Sequence, residues 1–138
     1  MEITRVETEG FVPEEMPFVP AVKVRGGTTI YLSGATAFPL CHSHPHREEE
    51  LRVPDDIAEQ TRLAMENLHL ALRASGATFE NVVKVVIYNT EMDQQDRVNE
   101  VYRSYFPNGL PARSHVGVNR LVGSGLKIEI EMVAVIPD

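Results

Sequence analysis

The run IEIEMVAVI, residues 128–136, constrains the fold more than any other stretch, because two chemically different sets of side chains alternate along it. Successive side chains of a β-strand point to opposite faces. One face therefore carries only apolar residues, which are Ile128, Ile130, Met132, Ala134 and Ile136. The other face carries Glu129, Glu131, Val133 and Val135. The run predicts a strand with one face in the core.

The second face of this strand mixes carboxylates with valines, whereas the solvated face of a sheet is usually polar throughout. One interpretation is a homo-oligomer in which a neighbouring copy covers this face. The other is a partly exposed strand with two ordinary surface glutamates. The pattern alone leaves both interpretations open.

Arg113 lies in the sequence PARSHVGV, which begins a second alternating run joined to the first by a turn at Gly123 to Gly125. Pro107 and Pro111 precede Arg113, and proline cannot donate a backbone hydrogen bond within a sheet. Arg113 is therefore expected at or near the start of a strand, where its guanidinium projects from a rigid backbone. Such a guanidinium is suited to bind a small carboxylic acid.

Two helices are predicted from the spacing of apolar residues and from their end signals. The first opens with a capping box from Asp56 to Glu59 and stops at Gly76. The second begins at Asp93, whose side chain caps it, and Pro107 ends it.

Four further strands complete the pattern. They are residues 3–6, a hairpin of residues 21–24 and 29–33 around Gly26 and Gly27, and the β-branched run 82–88. The order of elements predicts an α+β fold with two helices on one face of a six-stranded mixed sheet. A chain of 138 residues needs no second domain, so residues 1–138 are expected to form one.

The stretch PLCHSHPHREEELRV, residues 39–53, has no hydrophobic period and is predicted to be a loop. Cys41, His42, His44 and His46 are residue types that bind metals, but alternate spacing in a proline-containing loop fixes no coordination geometry. A solvated loop without a metal is therefore the prediction. Cys41 is the one cysteine of the chain, which excludes an internal disulfide.

The net charge of −7 opposes binding to nucleic acid and to anionic membranes. No apolar run is long enough to span a bilayer, and no basic segment followed by an apolar one opens the chain. A cytoplasmic protein is therefore expected, in which any anionic ligand needs local positive charge.

Six segments of the chain together resemble the Rid (reactive intermediate deaminase) family, also called the YjgF or L-PSP endoribonuclease family. They are IYLSG (30–34), DIAEQTR (56–62), GATFENVVKVVIY (76–88), NEVYRSYFP (99–107), PARS (111–114) and KIEIEMVA (127–134). The resemblance implies a chorismate-mutase-like α+β fold. It also implies a homotrimer whose sheets form a central β-barrel, with clefts between the subunits.

The same resemblance implies a function and a site. Members of this family hydrolyse small 2-imino or aminoacrylate-type acids to a keto acid and ammonia, without a metal or an organic cofactor. Arg113 corresponds to the family's carboxylate-binding arginine and Glu129 to its catalytic glutamate. The further substrate-binding positions that it implies are Phe18, Ser33, Gly34, Asn99 and His115. The alternative is a non-catalytic trimer that binds small carboxylates or a partner protein in the same cleft.

Three positions differ from the deaminating members that the chain resembles. Phe18 stands where many of them have tyrosine, Ala35 where they have glutamine, and His115 where they have cysteine. The resemblance therefore leaves open which imine or enamine is the substrate.

Overall fold

The computed structural model describes all residues from Met1 to Asp138. Its strands are β1 (Glu2–Val6), β2 (Ala21–Arg25), β3 (Thr28–Ala35), β4 (Val82–Asn89), β5 (Ala112–Gly117) and β6 (Ile128–Ile136), and its helices are α1 (Ile57–Ala74) and α2 (Gln95–Ser104). Strands and helices follow one another in the predicted order. Neither helix combines the length and hydrophobicity that a membrane span requires.

Four strands form the central sheet, in the order β3-β6-β4-β5. β6 is antiparallel to both of its neighbours, whereas β4 and β5 are parallel. α1 packs on β6 and β3 and against α2, and residues of both helices belong to the same core. The predicted fold, with two helices on one face of a mixed sheet, is confirmed.

The predicted hairpin of β2 and β3 is wrong, and the six strands divide between two sheets. β2 pairs with β1 in a separate antiparallel ribbon, so its backbone hydrogen bonds go to β1 and not to β3. Gly26 and Gly27 do make the expected turn, with φ angles of 72° and 86° that favour glycine. Gly27 also lies so close to β6 that an added Cβ would be 2.7 Å from the carbonyl oxygen of Ile136.

α1 begins and ends where its sequence signals predict. The Asp56 side chain accepts a hydrogen bond from the backbone N–H of Glu59 (3.0 Å), and Gly76 follows the helix with a φ of 75°. The Glu59 carboxylate binds Arg62 and does not return to the cap, so the capping box is only half formed. The buried stripe of the helix is Ile57, Gln60, Thr61, Ala64, Met65, Leu68 and Leu72.

α2 begins later than predicted, and Asp93 does not cap it. Asp93 lies in a 3₁₀ turn, Met92–Gln94, and the helix starts at Gln95 without a side-chain cap. The Asn89 side chain accepts a hydrogen bond from the backbone N–H of Glu91 (2.7 Å). This bond stabilises a turn before the helix.

Gln60 is fully buried and joins α1 to the segment that leads into β6. Its Nε2 donates to the carbonyl oxygens of Pro54 and Gly125, both at 2.8 Å, and its Oε1 accepts from the N–H of Lys127 at 2.9 Å. β6 starts at the next residue. These bonds therefore set the position of the strand that carries Glu129.

We expect Gln60→Ala to lower the free energy of unfolding by about 2–4 kcal/mol, because more than one buried backbone group then loses its hydrogen-bond partner. Gln95→Ala, on the exposed first turn of α2, is the matched control and should change that free energy by less than about 0.5 kcal/mol. Urea denaturation of the two variants measures both values. Equal decreases in the free energy of unfolding would show that the hydrogen bonds of the buried Gln60 side chain do not stabilise the fold.

The segment between β1 and β2 lies beside β5 and α2. The backbone N–H of Val19 donates to the carbonyl oxygen of Pro111 at 3.1 Å. Arg103 on α2 donates to the carbonyl oxygens of Met16 (2.6 Å) and Glu14 (3.3 Å). The segment is thus held at the start of the strand that carries Arg113.

The sheet face opposite the helices leaves apolar side chains uncovered, in agreement with the mixed face predicted for β6. Tyr31 on β3 is 81% exposed and is paired with Val133. Val86 on β4 is paired with Glu131 on the same face. Val135 is the exception, because Gly27 contacts it and it is buried.

Candidate active site

The two residues predicted to be catalytic lie on opposite faces of the central sheet. Arg113 is paired with Val85 of β4, which is buried on the helix side. Glu129 is paired with Tyr88 of β4, three residues further along and therefore on the opposite face. Because β4 lies between β5 and β6, their axes are also about 10 Å apart. One chain does not bring its own Arg113 and Glu129 together.

Arg113 is half-buried and held by α2. Its Nη1 donates to Oδ1 of Asn99 at 2.8 Å, and its guanidinium carbon lies 4.9 Å from the centre of the Tyr102 ring. Burial lowers the pKa of Arg113, but an arginine side chain stays charged at neutral pH. A guanidinium has five N–H donors, so the hydrogen bond to Asn99 leaves enough donors for a bidentate interaction with a carboxylate.

His115 lies two residues beyond Arg113, on the same face of β5. Asn89 accepts the N–H of Glu91 through Oδ1, so its Nδ2 must donate to Nε2 of His115, at 3.1 Å. The proton of the neutral imidazole is then on Nδ1, which is buried and has no partner. Burial, and the charge of Arg113, lower the pKa of His115 to about 4. The ring is therefore a neutral donor at pH 7.

Sequence patterns identify neither Tyr102 nor Asn89 as part of this group. Tyr102 occupies a position of the apolar stripe of α2, where nothing in the sequence distinguishes it from a core residue. Its hydroxyl is buried without a partner, and burial raises the pKa of Tyr102. Asn89 is a polar residue at the end of a β-branched strand, which is a signal that could have identified it.

Phe18 belongs to the arginine side of the sheet through the segment between β1 and β2. Its ring is 6.4 Å from that of Phe11, and the next residue, Val19, is hydrogen-bonded to Pro111. Phe18 therefore lies near the start of β5.

Glu129 lies on the uncovered face of the sheet, against Gly34. A Cβ on Gly34 would be 3.0 Å from Cδ of Glu129 and 3.1 Å from its Oε2, so the carboxylate sits directly on the glycine backbone. Ser33 and Gly34 are exposed and lie in the irregular stretch of β3 between Leu32 and Ala35. The structure thus brings Gly34, which follows Ser33 in β3, together with Glu129, and it brings Asn99 and His115 together with Arg113.

The two glutamates of this face differ in their partners. Glu131 accepts a hydrogen bond from the hydroxyl of Tyr88 at 2.5 Å, and this bond raises the pKa of Tyr88. Glu129 receives no such bond, and burial together with the charge of Glu131 raises its pKa. Glu131 is therefore engaged within the chain, whereas the Glu129 carboxylate is free to contact a ligand.

No large cavity unites the two groups. The cavities of about 710 Å³, 660 Å³ and 560 Å³ are lined by neither Arg113 nor Glu129. A small concavity of about 210 Å³ lies on the uncovered face and includes Glu131 and Tyr31. Within a single chain, the residues predicted for the site therefore form two separate groups.

The loop of residues 39–53 brings together three of its four candidate metal-binding residues, which their alternate spacing did not predict. The ring nitrogens of His42, His44 and His46 converge to within 4.8 Å of one another. Hydrogen bonds from Ser43 and Arg47 to Glu50 fold the loop and account for this convergence. Cys41 is exposed and is not part of the group.

Comparisons with known proteins agree with this fold. The family model described as Endoribonuclease L-PSP matches residues 12–136. The chain is 39% identical over 120 residues to the mitochondrial protein mmf2 of Schizosaccharomyces pombe, covering 86% of each. It is 35% identical over 119 residues to the 2-iminobutanoate/2-iminopropanoate deaminase of Mus musculus, covering 86% of this chain and 81% of the mouse protein. The crystal structure of YyfB from Yersinia pestis, described as a Rid family protein of unknown function, has a TM-score of 0.79 at 26% identity and covers 99% of this chain and 100% of its own. The chain therefore belongs to the L-PSP endoribonuclease family, whose members are also named Rid or YjgF proteins.

Proposed function

We propose that this protein is a cofactor-independent deaminase that hydrolyses the imine or enamine of a small 2-amino acid to a 2-keto acid and ammonia. The observation that carries the proposal is the presence of two complementary groups on opposite faces of the sheet. Arg113 is held by Asn99 and keeps further N–H donors, and Glu129 has a raised pKa and no hydrogen-bond partner in the chain. The name of the mouse relative supports the class of reaction. A net charge of −7 disfavours nucleic acid as the substrate.

The active site forms between two copies of the chain, in a homotrimer whose sheets line a central barrel. Arg113 and Glu129 face opposite ways, so a second copy is needed to place one near the other. The exposed Tyr31 and its neighbours Val86 and Val133 form an uncovered apolar surface, which a neighbouring copy would bury. Glu129 is on this same face, and Arg113 is on the edge strand β5.

In this arrangement Arg113 holds the substrate carboxylate by two parallel hydrogen bonds. Asn99 and the Tyr102 ring keep the guanidinium in one orientation, so that binding costs little additional ordering. The neutral ring of His115 lies on the same face of β5 and adds no charge beside the guanidinium. On the glutamate side, Ser33 and Gly34 offer backbone groups, and the missing side chain of Gly34 lets the Glu129 carboxylate lie directly against the backbone.

The chemistry needs a proton acceptor and a water molecule. The water oxygen bonds to the imine carbon while Glu129 accepts one of its protons. Glu129 then returns the proton to the nitrogen. As the carbon–nitrogen bond breaks, its electron pair goes to the nitrogen, and the hydroxyl proton passes to Glu129 and from there to the departing ammonia, which leaves as the ammonium ion. The protonated imine and one water contain all the atoms of the keto acid and the ammonium ion, so no oxidant or group carrier is consumed. A raised pKa brings Glu129 closer to the operating pH, which favours both proton transfers.

Imines generated in situ by an amino-acid oxidase test this proposal. Alanine, 2-aminobutyrate and leucine provide side chains of increasing size, and ammonia release is followed with and without the protein. We expect the protein to accelerate release, and Arg113→Ala to abolish the acceleration. A protein that binds small carboxylates without accelerating ammonia release would instead be the non-catalytic binder.

A further inference from the structure

His42, His44 and His46 form a cluster outside both groups of active-site residues, on the loop between β3 and α1. The three rings are 4.7 Å to 5.0 Å apart between centroids, and their ring nitrogens all lie within 4.8 Å of one another. We propose that these three imidazoles bind a divalent transition-metal ion, with zinc as the best match. The proposal does not depend on the deaminase activity.

The geometry of the cluster is close to that of a zinc site. With zinc–nitrogen distances of about 2.0–2.1 Å, tetrahedral ligands are about 3.4 Å from one another. The imidazoles therefore need to close by at most about 1.5 Å. His44 and His46 are exposed and His42 is half-buried, so rotations of two free side chains around a more fixed one supply this movement.

Hydrogen bonds within the loop position the three histidines in the absence of a metal ion. Nδ1 of His42 lies 3.3 Å from the carbonyl oxygen of Pro39, and a bond there leaves Nε2 as the free metal-binding atom. Ser43, between the first two histidines, donates to Glu50 through its N–H (2.7 Å) and its hydroxyl (3.1 Å). Arg47, directly after the third histidine, binds the same carboxylate at 2.5 Å. Glu50 thus binds the chain on both sides of His44 and His46, through the backbone N–H of Ser43 and the side chain of Arg47.

The donor set determines which ions fit. Three imidazoles suit zinc, copper and nickel, whereas magnesium and calcium prefer oxygen ligands. Glu48 and Glu49 are exposed next to the cluster and favour a cation electrostatically. Three protein ligands leave one tetrahedral position for water or another molecule.

Zinc titration of the untagged, chelator-treated protein tests the site, with isothermal calorimetry as the measurement. We expect one zinc ion per chain in the wild type and at least tenfold weaker binding in His44→Ala and in His46→Ala. His69→Ala is the matched control, because His69 lies on α1 outside the cluster, and it should bind zinc as the wild type does. Magnesium should not bind at this site.

Cobalt provides a second readout, because the visible absorption bands of Co²⁺ report tetrahedral coordination directly. We expect these bands in the wild type and their loss in His44→Ala, with thermal melts showing that the variant is folded. Equal zinc affinity in the wild type and in His44→Ala would overturn the proposal. So would a wild type that binds no zinc or that gives no tetrahedral cobalt spectrum.

Discussion

Arg113→Lys is expected to lower kcat/KM for imino-acid hydrolysis by roughly tenfold to a hundredfold although it keeps the positive charge. An ammonium cannot form two parallel hydrogen bonds to a carboxylate, and the loss of a charged hydrogen bond costs about 1.5–3 kcal/mol. A lysine ammonium also cannot reproduce both the position of the guanidinium over the Tyr102 ring and its hydrogen bond to Asn99, so its position is less defined. Steady-state kinetics on imines generated in situ measure the loss.

Arg62→Lys is the matched control for this prediction. Arg62 is exposed on α1 and is paired with Glu59, so its substitution should leave kcat/KM within about twofold of wild type. If kcat/KM of Arg113→Lys also stayed within twofold of wild type, the inference that Arg113 binds the carboxylate by two parallel hydrogen bonds would be wrong.

The fold could be predicted where the signal is local. The alternation in β6, the cap at Asp56 and the stop at Gly76 each act within a few residues, and the structure contains all three. The partner of β2 could not be predicted in this way. A glycine turn indicates that the chain reverses direction, but it does not indicate whether β2 pairs with β1 or with β3. That choice depends on contacts between segments that are distant in the sequence.

The site shows the same division. Arg113 and Glu129 are recognisable as residue types in specific motifs, and their catalytic roles stay predictions. Their placement on opposite faces depends on the register of β5 and β6 against β4, which no local pattern encodes. The contact of Tyr102 with Arg113 depends in turn on how α2 packs on β5. The convergence of the loop histidines was missed because Glu50, which folds the loop, reads as one of three surface glutamates.

Glu129→Gln is expected to reduce deamination by at least tenfold while leaving assembly and carboxylate binding intact. Glutamine keeps the shape of the side chain against Gly34 but cannot accept and return a proton. Glu131→Gln is the matched control, since that residue is occupied by the Tyr88 hydroxyl and should affect stability more than turnover. Full activity in Glu129→Gln with an inactive Glu131→Gln would show that the assignment of the catalytic carboxylate to Glu129 is wrong.

Mixed oligomers of Glu129→Gln and Arg113→Ala provide a sharper form of the same prediction. If each site takes its arginine from one copy and its glutamate from another, random mixing in equal amounts leaves roughly a quarter of the sites with both native residues. Activity should then rise from near zero in either parent to about a quarter of wild type. If both residues came from the same chain, every site would keep one defect. Confirmed mixed oligomers without recovered activity would therefore rule out a site shared between copies. Because Arg113 and Glu129 face opposite ways within one chain, that result would also leave them without a joint catalytic role.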